Sequence, residues 1–386
     1  MKIKSLLAVL HQRHNRPVLQ LLGGSALLLV LQANAAEVTK DIVINADVVH
    51  DSNPGLVKDD KNPVWIYSMA PHFRLGITDE VNRWYLDAAV LVQRHSNEKV
   101  LVDREDPTLA IGWDRTYESG MYGVRADYAE SSARQEELKS TGVFTNIDNT
   151  AKSKKLSANW LHTINPRWSV LTEGAYTDVT YSLPGSLAAY NLGNIRSKLT
   201  NAYTEKLDVS AQLSYSQLRP EKVFDDTELV GLLMGAAYQV NERFKLDARA
   251  GIYDLSGRQS DKDWEAAVIA EYTLDRTRYI AELRRELAAS GIGGFRKVDS
   301  LRVGWLYNMS ELDQVGAEYS LSKGKKDREV DLDRLDYQQL GAFYERRLSN
   351  YWKTRFFADY REQDIPGVRS HGNTIGVSFT YDTLSF

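Results

Sequence analysis

Five histidines lie beyond residue 35 of this 386-residue chain, and imidazole is the side chain most often used for acid–base catalysis and metal binding. They are widely scattered, at His50, His72, His95, His162 and His371. No HExxH, GxSxG or paired-carboxylate motif accompanies them. The chain also has no cysteine, which excludes a thiol nucleophile, a disulfide framework and a Cys-ligated metal site. The pattern therefore indicates neither an enzyme nor a metal or cofactor site.

Charged side chains of both signs recur instead on the polar face of apolar–polar repeats. Such residues hydrogen-bond sugar hydroxyls and carboxylates, so they would suit a polar conduit, whereas a single sign would indicate ion selectivity. The alternative is that opposite charges on neighbouring strands only brace the wall of a barrel. The candidate lumen residues are Arg74, Arg125, Asp127, Arg196, Lys198, Asp247, Arg249, Glu271, Glu282, Arg284, Glu286, Arg302, Glu318, Glu345, Arg347, Lys353, Arg355, Asp359 and Arg361.

The elements that position these residues are predicted to be long β-strands. In the segment from Asp208, for example, Val209, Ala211, Leu213 and Tyr215 alternate with polar residues, which is the period of a strand. The segments run for about 10 to 15 residues, longer than the ~5–6 of soluble strands and sufficient to cross a bilayer. Tight turns and longer polar breaks alternate between them, as in outer-membrane barrels.

We predict an all-β protein, a transmembrane antiparallel up-and-down β-barrel of about 18 strands. Sixteen strands is the alternative, because the segments near residues 121–133, 168–182 and 193–205 alternate poorly. A soluble β-sandwich is disfavoured, since charged residues occupy the middle of the strands where a sandwich needs an apolar layer. The mean hydropathy of −0.41 excludes a polytopic helical membrane protein, and the net charge of −4 argues against a nucleic-acid-binding protein.

The first 35 residues have the pattern of a secretory signal peptide. Lys2, Lys4, Arg13 and Arg16 form a basic start, and an apolar run at 18–31 precedes the sequence Ala-Asn-Ala at 33–35. We predict cleavage after Ala35, which leaves residues 36–386 as the barrel. The predicted location is the outer membrane of a Gram-negative bacterium.

The C-terminal segment resembles the signal by which outer-membrane proteins are recognised by the barrel-assembly machinery. Thr374, Gly376, Phe379 and Tyr381 fill the polar, glycine and two hydrophobic positions of that pattern, and Phe386 supplies the terminal aromatic residue. Phe386 is out of phase with the stripe formed by Phe379 and Tyr381. The expected partners are accordingly outer-membrane lipid and the assembly machinery.

Residues 51–56, Asp-Ser-Asn-Pro-Gly-Leu, follow directly on the first predicted strand. This segment resembles the Asp-(Ser/Asp)-Asn motif of the β-barrel porin 2 family, whose barrel would cover the whole chain after the signal peptide. The resemblance implies a barrel found with exopolysaccharide export systems. It thus implies a passive conduit for an extracellular polysaccharide, working with periplasmic polysaccharide-export proteins.

Three functional hypotheses follow from these patterns. A polysaccharide export conduit is expected to have an open bore without a loop constriction. A general or sugar-specific diffusion porin is expected to have a loop folded inward, and the long break at residues 135–150 could supply it or lie outside. A non-transporting scaffold or adhesin is expected to have a lumen filled by its own side chains.

Overall fold

Eighteen strands and one short helix make up the part of the chain that the computed structural model describes, namely residues 36–59, 61–141, 144, 148–183, 187–221, 226–257, 261–291, 294–325, 335–365 and 368–383. The strands are β1 (Glu37–Asp51), β2 (Val64–Thr78), β3 (Asn82–His95), β4 (Arg104–Tyr117), β5 (Gly120–Ser132), β6 (Thr150–Asn165), β7 (Trp168–Tyr181), β8 (Tyr190–Thr204), β9 (Leu207–Pro220), β10 (Thr227–Asn241), β11 (Phe244–Ser256), β12 (Asp261–Thr273), β13 (Thr277–Ala289), β14 (Phe295–Asn308), β15 (Asp313–Lys325), β16 (Leu335–Arg347), β17 (Trp352–Ile365) and β18 (Val368–Asp382). The helix, α1, is Ala133–Thr141 and joins β5 to β6. The predicted signal peptide and Phe386 lie outside the described residues.

The strands form one antiparallel sheet that closes on itself. Each strand pairs with its neighbours in sequence, and β1 also pairs with β18, with Val43 opposite Asp382 and Asp51 opposite Thr374. The prediction of an all-β barrel with 18 strands is confirmed, and the alternative of 16 is wrong. The poorly alternating segments are β5, β7 and β8, which are full members of the sheet because closure pairs the backbone on both sides whatever the side-chain pattern.

The two ends of the barrel differ in the length of their connections. One end carries the start of β1, the end of β18 and short turns, as at residues 79–81, 118–119 and 242–243. The other end carries longer connections, of which residues 52–63 and 133–149 are the longest that contain mainly described residues. Among the described residues, no helix is long and apolar enough to cross a membrane.

The two faces of the sheet differ in polarity. Large apolar side chains such as Leu213, Met234 and Ile375 are about 60% exposed on one face. The other face carries the charged residues, and Tyr337 and Gln363 of that face contact Phe144 from the distant β5–β6 connection. Because only side chains inside a barrel can be reached from the opposite wall, the polar face lines the interior and the apolar face is the outer surface.

Exposed aromatic residues form two bands on the outer surface. Aromatic rings favour the boundary between lipid and water, so such bands are typical of barrels that cross a membrane. The band at the short-turn end contains Trp84, Trp160, Trp168, Tyr203, Tyr238, Tyr272, Tyr279, Trp305, Tyr351, Trp352 and Phe379. The band at the long-loop end contains Trp65, Tyr67, Tyr176, Tyr215, Trp264 and Tyr360.

Candidate functional site: a loop across the barrel mouth

The connection from β5 to β6 folds into the mouth of the barrel rather than outward. We call it the bridge loop; it spans residues 133–149, of which 133–141, 144, 148 and 149 are described. Its first part forms α1, whose sequence Ala-Arg-Gln-Glu-Glu-Leu-Lys is rich in helix-forming residues, with Glu136 in the first turn where an acidic residue is favourable. Ala133 and Thr141 are completely buried, although they lie in a connection between strands.

Glu137 of α1 attaches the bridge loop to the opposite wall. Its carboxylate accepts hydrogen bonds from the Ser290 hydroxyl and the Gly291 amide, each at 2.8 Å, and from the Tyr181 hydroxyl at 3.1 Å. Ser290 follows β13, the eighth strand after β5 in a closed ring of eighteen. The side chain of Glu137 is only 2% exposed, and such a buried carboxylate requires these donors. The bridge loop therefore reaches across the bore.

The same contact leaves no room for a side chain at Gly291. A Cβ atom at this position would lie 2.2 Å from the Tyr181 hydroxyl oxygen and 2.8 Å from Glu137 Oε1. Its carbonyl oxygen also accepts a 2.6 Å hydrogen bond from the amide of Ala188, in the β7–β8 connection. The junction thus joins three connections at the long-loop end of the barrel.

A second contact attaches the bridge loop to β16 and β17. The ring of Phe144 stacks on that of Tyr337, with centroids 6.3 Å apart and planes 7° from parallel, and the Phe144 carbonyl accepts a 2.9 Å bond from Gln363. Leu56 packs into the same apolar cluster, and Leu138 of α1 lies against it. These contacts form an apolar core inside the mouth of an otherwise polar lumen.

Residues 51–56 hold the β1–β2 connection inside the mouth. Asp51 is paired with Arg361 of β17, and both of its carboxylate oxygens lie 2.6 Å from Nη2. Asn53 is fully buried, and its side-chain amide donates to the carbonyl oxygens of Val57 and His371 while its side-chain oxygen Oδ1 accepts from the Val57 amide. The segment on which the family resemblance rests is therefore a structural anchor.

Arg134 links the bridge loop to the same anchor. It donates to the carbonyl oxygen of Pro54 at 3.0 Å, and its guanidinium lies 5.5 Å from the centre of the Phe144 ring. Burial lowers the pKa of Arg134, and the carboxylates of Asp148 and Asp51 oppose that shift. An arginine remains charged under these conditions, so a cation lies between the bridge loop and the β1–β2 connection.

The end of the bridge loop is fixed to its own side of the barrel. Asp148 accepts from the Val102 amide at 3.1 Å, and the Asn149 side chain bonds both the carbonyl and the amide of Leu183. Arg104, paired with Asp106, reaches the Asn149 carbonyl at 3.4 Å. With anchors at both ends and at two points across the bore, the loop is held in place over the lumen.

Ion pairs line the lumen below the bridge loop. The pairing registers put all the candidate lumen residues on the interior face. Most contact an opposite charge, in the pairs Arg74–Asp87, Arg125–Asp127, Arg196–Glu173, Arg249–Glu265, Arg278–Glu271, Arg284–Glu282, Arg302–Glu318, Lys353–Glu345, Arg355–Glu345 and Arg361–Asp51. The Asp359 carboxylate accepts a hydrogen bond from the Gln339 side chain. The pairing registers also place Lys198, Asp247, Glu286 and Arg347 on the interior face. The wall is therefore polar and nearly balanced in charge.

The proposed assembly-signal residues lie on β18. Phe379 and Tyr381 are on the outer face, and Thr374 and Gly376 are on the interior face. A Cβ at Gly376 would fall 2.4 Å from the Phe357 ring, which lies over this glycine inside the lumen. These contacts describe β18 in the folded barrel. Recognition of the segment by the barrel-assembly machinery stays a prediction.

The residues of the bridge were not singled out by the sequence. Glu137, Ser290, Phe144 and Tyr337 belong to no motif, and their contacts join segments more than 150 residues apart. The available signal was the length of the 135–150 break, which permitted either an inward or an outward path. The structure decides for the inward path.

The sequence matches no protein-family model and no curated protein. It is similar in structure to Acinetobacter baumannii OccAB4, with 10% identity, 90% of this chain and 98% of that chain covered, and a TM-score of 0.53. Pseudomonas aeruginosa OccK1 (OpdK) gives 9% identity, 91% and 99% coverage and a TM-score of 0.53. A second structure of the latter protein, described as the outer membrane protein OpdK, gives 10% identity, 91% and 99% coverage and a TM-score of 0.51. These likenesses show the barrel fold, and they give no support to the association with exopolysaccharide export.

Proposed function

We propose that the protein is an outer-membrane channel through which small polar solutes diffuse. The barrel with its exposed apolar face, two aromatic bands and polar lumen supports a membrane location. The likeness in fold to an outer membrane protein is consistent with it. Export through the predicted signal peptide, with cleavage after Ala35, is part of this proposal and is tested by N-terminal sequencing of the mature protein.

The observation that carries the proposal is the bridge loop. A conduit for a polysaccharide chain needs an uninterrupted bore, and here Glu137 joins β5 to the end of β13 through the lumen. A loop folded inward is instead what a diffusion porin uses to limit the size of its solutes. This favours uptake of small molecules over the export hypothesis drawn from residues 51–56.

The nearly balanced wall favours solutes that are uncharged or carry both charges. Arginine and carboxylate side chains offer donors and acceptors to hydroxyl groups, and the aromatic ring of Phe343 lies 4.2 Å from Arg355 in the lumen. Small sugars fit this chemistry, as do zwitterions. A strongly selective ion pathway would require an excess of one sign.

Swelling of proteoliposomes in a graded series of sugars tests the proposal. The full mature barrel is expected to admit monosaccharides and disaccharides, with the rate falling steeply as the oligosaccharide lengthens. Equal permeation of long oligosaccharides would instead favour the open conduit. No permeation from a folded barrel would favour a scaffold.

A further inference from the structure

The hydrogen-bond ladder between β12 and β13 ends early at the long-loop end. Its last pair is Ala266 with Arg285, although β12 begins at Asp261 and β13 continues to Ala289. Each of the two strands stays paired with its other neighbour: β12 pairs with β11 as far as Asp261, and β13 pairs with β14 as far as Ala289. The wall therefore contains a notch between residues 261–265 and 286–289.

Charged side chains occupy this notch in place of ladder hydrogen bonds. The Asp263 carboxylate caps the Trp264 amide at 2.8 Å and lies 2.6 Å from Lys297 Nζ and 3.5 Å from Arg285 Nη2. Arg285 also approaches Asp299 at 3.7 Å, and its guanidinium lies 4.3 Å from the centre of the Trp264 ring. The cluster thus contains two cations, Arg285 and Lys297, and two carboxylates, Asp263 and Asp299, and the Trp264 ring lies against the arginine.

The cations of the cluster lie on the outer face. Arg285 is in phase with the exposed Leu283, while Lys297 and Asp299 are in phase with the exposed Val303. Asp263 lies opposite Tyr253 on the interior side of β12 and reaches Arg285 and Lys297 through the notch. Lys323 is opposite Asp299 in the next ladder and adds a third cation to the same surface. At the other ends of β12, β13 and β14 the outward residues are Tyr272, Tyr279 and Trp305, so on these three strands the outward charge lies at the long-loop rim.

We propose that this notch binds the phosphorylated headgroup of a glycolipid in the outer leaflet, an inference that rests on the proposed outer-membrane location. The notch lies at the long-loop end, and the longer loops of outer-membrane barrels are extracellular. Arg285 and Lys297 would donate to phosphate oxygens, the strongest acceptors that a headgroup offers to such cations. Lys323 lies where a second phosphate of the same lipid would sit, and the Trp264 ring supports the headgroup from the side.

A lipid is favoured over a free anion because of what lies next to the cluster. Leu283 and Val303 are 57% and 45% exposed on the outer face, one or two outward positions nearer the middle of the barrel. Acyl chains attached to a headgroup in the notch would pack on these side chains. A soluble phosphate would gain nothing from this apolar surface.

Native mass spectrometry of the detergent-solubilised full barrel tests the site, with diphosphoryl lipid A and fully dephosphorylated lipid A as probes. The wild-type protein is expected to retain the diphosphoryl form. Arg285→Gln and Lys297→Gln should each weaken its retention roughly tenfold, the loss of one charge-assisted hydrogen bond. Lys323 is not part of the Asp263 ion pairs. Lys323→Gln should therefore also weaken retention of the diphosphoryl lipid, and it does so without disturbing the notch.

Arg346→Gln is the matched control, because Arg346 is an outward-facing arginine at the opposite rim. Equal retention by all variants, or equal retention of the two lipid forms by the wild type, would overturn the proposal. Channel activity is measured on the same preparations. A variant that loses the lipid but keeps its permeability separates the lipid site from the proposed function.

Discussion

Glu137 and Gly291, attached to strands almost diametrically opposite in the barrel, are joined by a 2.8 Å hydrogen bond from the Gly291 amide to the Glu137 carboxylate. This contact closes a bridge through the lumen. The buried carboxylate that makes this contact belongs to no sequence motif.

Glu137→Ala is expected to loosen the bridge loop from the β13–β14 connection. The substitution removes the acceptor for Ser290, Gly291 and Tyr181, and each hydrogen bond to a charged group contributes about 1.5–3 kcal/mol. Proteoliposomes should then swell several times faster in a trisaccharide. Glu136→Ala is the control, since Glu136 lies in the same helix and its acceptor contact is a 3.4 Å bond from Ser131; an equal effect of both variants would contradict the account.

Asp51→Asn is expected to release the β1–β2 connection from the mouth. The Asp51 and Arg361 side chains are 7% and 16% exposed, and breaking such a pair costs about 3 kcal/mol. Opening of the connection, and with it trypsin cleavage after the exposed Lys58 or Lys61, should increase roughly a hundredfold. Asp226→Asn breaks an exposed pair with Arg219 and should leave cleavage unchanged.

Gly372→Ala is expected to disturb the same anchor from the β18 side. The added Cβ would lie 3.1 Å from both the Cβ and the carbonyl oxygen of Asn53, which is held by three hydrogen bonds and has no room to move. Trypsin cleavage of the connection should again increase. Gly193→Ala makes the same change in β8 with no atom within 4 Å of the new methyl group, so unaltered cleavage is expected there.

Arg302→Gln and Glu318→Gln are expected to shift ion selectivity in opposite directions. The two side chains form a 2.6 Å pair and are about half exposed to the lumen, so removing one leaves the other uncompensated. Reversal potentials across a salt gradient should move toward cations for Arg302→Gln and toward anions for Glu318→Gln. Arg243→Gln, in a turn outside the lumen, is the control; shifts of the same sign in the two lumen variants would be inconsistent with a balanced wall.

The turn between β2 and β3 is expected to lose stability in acid, because its Asp79 carboxylate accepts hydrogen bonds from the turn. Hydrogen bonds from the Val81 and Asn82 amides and the Asn82 side chain lower the pKa of this carboxyl below its usual 3.8. A lowered pKa means that the stabilisation is present above 3.8 and is lost as the pH falls through the lower value. Amide exchange of residues 79–82 should therefore accelerate only in strong acid, and Asp79→Ala should exchange rapidly at neutral pH.

Much of the barrel could be predicted from the sequence because its pattern is local. In β9, Val209 and Leu213 face outward and Ser210 and Gln212 face the lumen, a relation fixed by the two-residue period alone. The same period put Arg302 and Glu318 on one face, and the adjacent ladder joins them. The strand number was less certain because β5, β7 and β8 carry polar residues on both faces.

The bridge could not be predicted, since its contacts depend on the diameter and closure of the barrel. Nothing near Glu137 in the sequence indicates that it meets Gly291, and Phe144 meets Tyr337 only because β16 lies across the mouth. The export hypothesis arose for the same reason, since the contacts of residues 51–56 with distant segments could not be predicted from the local sequence. Asp51 and Asn53 resembled a family motif, but their partners Arg361 and His371 show a structural role in the mouth.

Single-channel conductance in a planar bilayer tests the central claim most directly, with the wild-type barrel compared with a variant in which residues 134–148 are replaced by a short Gly-Ser turn. The account predicts small, well-defined steps for the wild type and severalfold larger steps for the variant, since removal of the bridge loop would open the bore. Equal conductance in the two proteins would contradict the claim that this loop limits passage through the barrel.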